Sequence, residues 1–198
     1  AHTRDIVQSG RYGRVYAARF QRFSSRPSWS TGNWLMDTQK SGGMPLDLHI
    51  HDADYIQSLF GMPRAVCSRA LSPNGPMDHI ETQYLYDSDA FITAEASWLA
   101  SSSFSFRMNY ELLAEHATII YDSSKAPAYQ ICPNDDQAFS PTVSGKDGYF
   151  HEIEYFAKLI QGKVEKESIT LQQAMNSVRL IEAEVQSCKV RKSVELMP

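Results

Sequence analysis

The stretch "SGGMPLDLHIHDADY", Ser41–Tyr55, places Asp47, His49, His51, Asp52 and Asp54 close together, directly after Gly42 and Gly43. Carboxylates and imidazoles at this density suit three uses: holding a metal, exchanging protons with a substrate, or dressing the start of a helix. On a helical wheel turning about 100° per residue, Leu46, Ile50, Ala53, Ile56 and Phe60 form one apolar stripe. Asp47, His51, Asp54 and Ser58 fall on another face. Asp47 and His51 stand at i and i+4, so their side chains can meet one turn apart. A carboxylate beside an imidazole orients it, fixes its tautomer and stabilises its cation, which is what a general base needs. The glycine pair allows the backbone to come close to a ligand.

His49 edges the apolar stripe, about 200° around from Asp47. The helix therefore parts the two histidines. Metal ligation through H-x-H needs an extended backbone, and the position for an acid in an H-x-H-x-D-H site is Ala53. No cysteine or histidine cluster supplies a third ligand, so no metal is expected. A structural reading stays open beside the acid–base one. It treats the stretch as an acidic first turn that complements the helix dipole, with Asp47 as cap and His51 solvated.

The elements that must position these residues follow from pattern. "AHTRDIVQSG" reads as a helix ending near Gly10. Val15–Ser25 reads as a strand, with Arg19 and Arg22 alternating with Phe20 and Phe23. Arg26–Trp34 is a turn-rich loop. The helix over Leu46–Phe60 stops at Gly61 and Pro63, and Arg64–Leu71 is a strand. Leu71–Asp78 is a turn cluster. Four β-rich runs, "HIETQYLYD", "AFITAEASWLA", "SFSFRMNYELLAE" and "HATIIYDSS", predict an antiparallel meander. Ser124–Gly148 is mostly irregular, with one more short strand. Two helices close the chain. The first carries Phe150, Ile153, Phe156, Ala157 and Ile160 at helical spacing. The second presents Leu171, Ala174, Met175, Val178 and Ile181, with Thr170 or Ser168 as cap. The sum is one α+β domain over 1–198: a large, mainly antiparallel sheet with helices packed on one face. The other face is either polar or covered by another chain.

The 198 residues, 42% hydrophobic and 21% charged, are ordinary for one globular domain. A net charge of −4 gives no broad basic field for nucleic acid or an anionic membrane. No apolar run approaches the ~18 residues of a membrane span. Cys67, Cys132 and Cys188 lack a CxxC or zinc-type spacing, which suits reduced thiols and a cytoplasmic location. The opening, inside a helix and without a signal peptide, reads as the middle of a longer protein.

"SGGMPLDLHIHDADYIQSLFGMP" resembles the signature of the glucose–fructose oxidoreductase / inositol dehydrogenase (Gfo/Idh/MocA) family, in its C-terminal domain. That pattern is a glycine pair, D-x-x-x-H, an acid three residues on, and a helix ending at a Gly-x-Pro-like turn. Asp47, His51 and Asp54 match it. "SGRYGRVYAARF", "LLAEHATIIYDS", "DGYFHEIEYFAKLIQGK" and "ITLQQAMNSVRLIEAEVQSCKVRKSVEL" resemble successive parts of the same domain, in order; where the family often has glycine, Ala117 or His116 stands here. The resemblance implies an NAD- or NADP-dependent oxidoreductase acting on a sugar, polyol or related compound. His51 would exchange the proton of the substrate hydroxyl, and Asp47 would orient it or bind substrate.

Asp54, Trp34, Lys40 and Tyr149 are candidate substrate contacts, and the backbone near Gly43 is the one candidate cofactor contact. Trp34 serves equally as a loop anchor, Lys40 as a solvated charge and His151 as a helix-start residue. An anionic substrate would want an arginine such as Arg19 or Arg22, but strand arginines more often decorate a polar face. The chain lacks G-x-G-x-x-G and the family's Glu-Lys-Pro. An N-terminal dinucleotide-binding domain is therefore expected outside this chain, and the chain alone is expected to be inactive. The resemblance also implies a homodimer or homotetramer through the sheet face, with Tyr84, Tyr86, Phe91, Trp98, Phe104 and Phe106 as the aromatics available there. The competing class is a non-enzymatic dimerisation or regulatory module with a relic site.

Overall fold

The structure is a computed structural model that describes residues 2–75, 77–142, 145, 148–164 and 169–196. In chain order it comprises α1 (His2–Ser9), β1 (Val15–Ser25), a 3-10 segment (Thr31–Met36), α2 (Thr38–Ser41), a π-helical turn (Pro45–His49) and α3 (Ile50–Phe60). These are followed by β2 (Ala65–Leu71), β3 (His79–Leu85), β4 (Phe91–Ala100), β5 (Arg107–Ala114), β6 (Ala117–Asp122) and β7 (Tyr129–Pro133). The last elements are α4 (Gly148–Ile160), α5 (Leu171–Val190) and β8 (Val194–Glu195).

The eight strands form one sheet in the order β7-β6-β5-β1-β4-β3-β2-β8. The expected meander is thus divided. β2–β3–β4 and β5–β6–β7 are antiparallel runs, but β4 and β5 are not neighbours, because β1 lies between them. It runs parallel to β4, with Ala18 opposite Ile92, and antiparallel to β5, with Ala18 opposite Leu112. The reason is burial. Ala18 is 2% exposed and Phe20 0%, a degree of enclosure that needs a strand on each side and helices above.

The helices cover one face. Ile56 and Leu59 of α3 and Leu180 of α5 join Phe20, Tyr84, Ile92, Leu112, Ile119 and Ile131 of the sheet in one core cluster. Each such side chain, fully buried, stabilises the fold by roughly 1.5–3 kcal/mol. The opposite face is polar. It carries Arg19, Gln21, Glu81, Gln83, Thr93 and Glu95, with Glu95 accepting from Arg19 at 3.1 Å and from Gln21 at 2.7 Å. Of the aromatics expected there, Tyr84 and Trp98 are instead buried on the helix side, and Tyr86 packs on Phe60 of α3. Phe104 lies beside the Arg107 guanidinium, and Phe91 is exposed on the polar face.

Thr170 caps α5 through a capping box with Gln173, whose N–H donates to the Thr170 hydroxyl at 3.2 Å. Ser168, the alternative cap, lies outside the described residues, as do 143, 144, 146 and 147 within the irregular segment. Of the apolar stripe predicted for α5, Ile181 is buried, but Leu171, Ala174, Met175 and Val178 are exposed, and the rest of the buried face is Ser177, Leu180, Ala183, Glu184 and Ser187. None of the residues of α4 is buried, and Ile153, Phe156 and Ile160 are all exposed. Among the described residues no helix is long and apolar enough to cross a membrane.

Candidate functional site

The glycine pair has a packing reason. Gly42 ends α2 at φ 74°, its N–H donating to the Thr38 carbonyl, and a Cβ there would collide with the Leu46 side chain. Gly43, at φ 69°, donates to the Ser41 hydroxyl at 2.9 Å. Leu46 is thereby pressed against the turn, and the chain enters α3 through a π-helical turn, a device common near functional sites.

Asp47 from that turn and His51 from α3 line the same open cleft, of about 1040 Å³. Arg22 of β1, Trp98 of β4, Phe106 just before β5 and Tyr149 of α4 complete its working wall. Burial pushes the Asp47 carboxyl up from its ordinary value, and the charge of His51 partly offsets the rise. The two side chains therefore feel one another across the helical turn, as their i, i+4 spacing implies.

The other expected contacts are distributed elsewhere. Asp54 accepts a hydrogen bond of 2.6 Å from the Ser177 hydroxyl of α5 and lines a separate cavity with Arg4 and Gln173. Trp34 sits half-exposed in the 3-10 segment, away from the lining of the cleft. Lys40 pairs with Asp37 at 2.9 Å and is also absent from the cleft wall. His151 stands 3.9 Å from Glu154 on α4. Trp29, which sequence reasoning passed over, is 77% exposed and does line the cleft. Arg19 and Arg22 part company: Arg19 lies on the polar face, and Arg22 shares the helix-side face with Phe20.

Beside the cleft runs a buried polar stack. His49 and Glu184 are both 0% exposed, and His49 Nε2 donates to Glu184 Oε2 at 2.7 Å. Thr82 donates to the same oxygen at 3.2 Å and exchanges a 2.7 Å bond with Ser68. Burial works against a charged imidazole, but the charge and hydrogen bond of Glu184 outweigh it and raise the His49 value overall. The Tyr84 hydroxyl, 3.5 Å from His49, is pushed far up by the same burial and by Glu184. Asp52 links stack to cleft: it sits by His49 and accepts from Arg22 Nε at 3.0 Å and Nη2 at 2.9 Å. Among the described residues no group of three or more His, Cys, Asp or Glu is arranged to hold a metal ion.

An eight-stranded sheet with helices packed on one face defines an α+β domain. The GFO/IDH/MocA C-terminal domain family model matches residues 1–120, and the chain belongs to that family. No curated protein sequence matches it. Among solved structures, it is similar to an NAD binding oxidoreductase from Klebsiella pneumoniae (TM-score 0.81, 18% identity, 100% of this chain and 63% of that one). It is also similar to levoglucosan dehydrogenase in complex with NADH and levoglucosan (TM-score 0.79, 16% identity, 99% and 62%). A third is the aldose-aldose oxidoreductase from Caulobacter crescentus complexed with glycerol (TM-score 0.79, 17% identity, 98% and 59%). At these identities the likeness is one of fold. The chain spans between 59% and 63% of the length of these three proteins.

Proposed function

We propose that this domain supplies the substrate side of an NAD(P)-dependent oxidoreductase acting on a hydroxyl or carbonyl of a sugar, polyol or related compound. The observation that carries the reading is that Asp47 and His51 line the same aromatic-bearing cleft, with the charge of His51 acting on the Asp47 carboxyl. The His51 imidazole takes the proton of the substrate hydroxyl during oxidation and returns it during reduction. The Asp47 carboxylate, on the same cleft wall, orients the ring or hydrogen-bonds the substrate. Trp29, Trp98, Phe106 and Tyr149 offer flat surfaces for the C–H faces of a ring-shaped substrate.

NAD(P), when bound, would accept or deliver the hydride. The sequence has no glycine-rich turn of the G-x-G-x-x-G kind to cradle its pyrophosphate. The residues of this chain do not fit the dinucleotide, so it would be held elsewhere. If the protein is a homodimer or homotetramer, the open sheet face is the surface we assign to that contact.

The test is NAD(P)-linked turnover of a panel of sugars and polyols by the protein as purified from its source. Oxidation lost in His51→Ala, with cofactor affinity retained, is the expected result. Equal turnover in mutant and wild type would remove the His51 assignment, and no turnover of any of these compounds by wild type would leave a non-enzymatic module as the better reading.

A further inference from the structure

Arg22 stands on β1 beside the cleft, on the same strand face as buried Phe20. Its cross-strand partner on β5 is Met108, which also lines the cleft. A guanidinium has five N–H donors in a fixed fork. Asp52 takes the Nε edge of that fork, at 3.0 Å and 2.9 Å. Nη1 is met by the Met108 sulfur at 3.4 Å, a weak acceptor for a charged donor. The Phe106 ring lies 6.0 Å from Arg22 Cζ and shields one side of the group. Among the described residues, the end of the fork has no oxygen partner to match Asp52 on its inner edge, and Arg22 lines the cleft.

The charges around it are informative. Arg26, the other guanidinium on the wall, is tied to Asp78. Each arginine therefore carries its own carboxylate. Asp47 and Glu152 add two more carboxylates to the wall. An anion entering here meets neutralised arginines and a surplus of negative charge. The edge of Arg22 that would clasp a carboxylate side-on is already occupied by Asp52.

We infer that Arg22 donates hydrogen bonds to an oxygen of the bound substrate, and that its pairing with Asp52 sets the cleft to accept neutral hydroxylated molecules over their carboxylate or phosphate counterparts. This rests on the cleft being the substrate site proposed above. The rival is a purely structural ion pair that ties β1 to α3.

The two separate in a binding experiment on this chain. Protein-observed NMR, following the Met108 methyl, reads titrations with levoglucosan and glucose against gluconate and glucose 6-phosphate. Wild type is expected to bind the neutral sugars at least tenfold more tightly than the anions. Arg22→Lys and Arg22→Met are expected to weaken neutral-sugar binding tenfold or more while the chain remains folded by circular dichroism. Asp52→Asn is expected to raise the gluconate-to-glucose affinity ratio tenfold or more, an effect a structural tie does not produce.

Unchanged sugar affinity in both folded Arg22 variants would overturn the inference. So would a wild-type preference for the anions, or an Asp52→Asn ratio equal to that of wild type in a folded protein. Should Asp52→Asn not fold, the Arg22 variants decide alone. Those failures leave the oxidoreductase reading standing wherever His51 is still required for turnover. Wild type that binds none of the four probes would overturn this inference, and turnover by the source protein would then decide the broader reading.

Discussion

His49 and His51 are separated by one residue and by the whole difference between core and solvent. His49 is wholly enclosed, its Nε2 2.7 Å from a carboxylate that is itself wholly enclosed. His51 is exposed at the cleft, with Asp47 acting on it from a half-buried position. About 200° of helical turn between them is enough to bring this about. The proton of His49 is bound up with the folded state through Glu184. The same residue type is thus part of the core at one position and, in the function proposed above, a reagent at the other. The boundary between them is Asp52, which faces His49 on one side and Arg22 on the other.

The sharpest way to break this contrast is to remove His51. His51→Ala is expected to lower turnover of the source protein by about 10²–10⁴-fold, as loss of a general base does. Urea unfolding should move by no more than about 0.5 kcal/mol, the range for an exposed side chain. A large stability loss would place His51 with His49. Removing Glu184 should do the reverse. Glu184→Ala strands a buried imidazole and is expected to cost about 3–5 kcal/mol in urea unfolding. Replacing both partners, as His49→Leu with Glu184→Met, should recover most of that loss, because an apolar pair needs no compensation.

The pH dependence sharpens the comparison further. The folded-state value of His49 is raised from 6.5, so its stabilisation is fully present below about that pH and is lost as pH rises through the folded value. Stability measured across that window should fall in wild type and stay flatter in His49→Leu. A fall of equal slope in the two would show that another group is responsible. At the cleft the sign concerns activity. With the Asp47 carboxyl pushed up, its carboxylate is lost earlier as pH falls, and turnover should decline on the acid side. Asp47→Asn should move that acid limb, and a pH–rate profile unchanged in Asp47→Asn would show that another group sets it. The smallest effect is expected at the far end: Ile153→Lys on α4, 70% exposed, should shift unfolding of this chain by less than about 0.5 kcal/mol.

Much of this was legible in the sequence, and the failures have physical causes. Val15–Ser25 was readable as a strand because β-branched and aromatic residues crowd it, and Leu46–Phe60 as a helix because its apolar stripe is regular. Asp47 and His51 were readable as a pair from spacing alone. What pattern could not reach was pairing at long range. A meander assumes that neighbours in sequence are neighbours in space, and β1 breaks that rule. The buried face of α5 was obscured for a related reason: Ser177, Glu184 and Ser187 look like surface residues, and are inside because Gln57, His49 and Ser68 meet them there. Two arginines on one strand looked alike, and only their parity relative to Phe20 separates a solvated one from one at the cleft.

The central place of β1 has a consequence for how the chain is made. β1 is synthesised first among the strands, yet both edges it must occupy belong to segments that follow much later, at Phe91–Ala100 and Arg107–Ala114. Until those have left the ribosome, its apolar side chains have no sheet to join. Such distant pairings slow folding, because the intervening loop must close before any contact rewards it. The nascent chain therefore carries an unsatisfied strand until Phe91–Ala100 and Arg107–Ala114 have emerged. Loss of this one early segment would leave two half-sheets, β2–β3–β4 and β5–β6–β7, with nothing to join them.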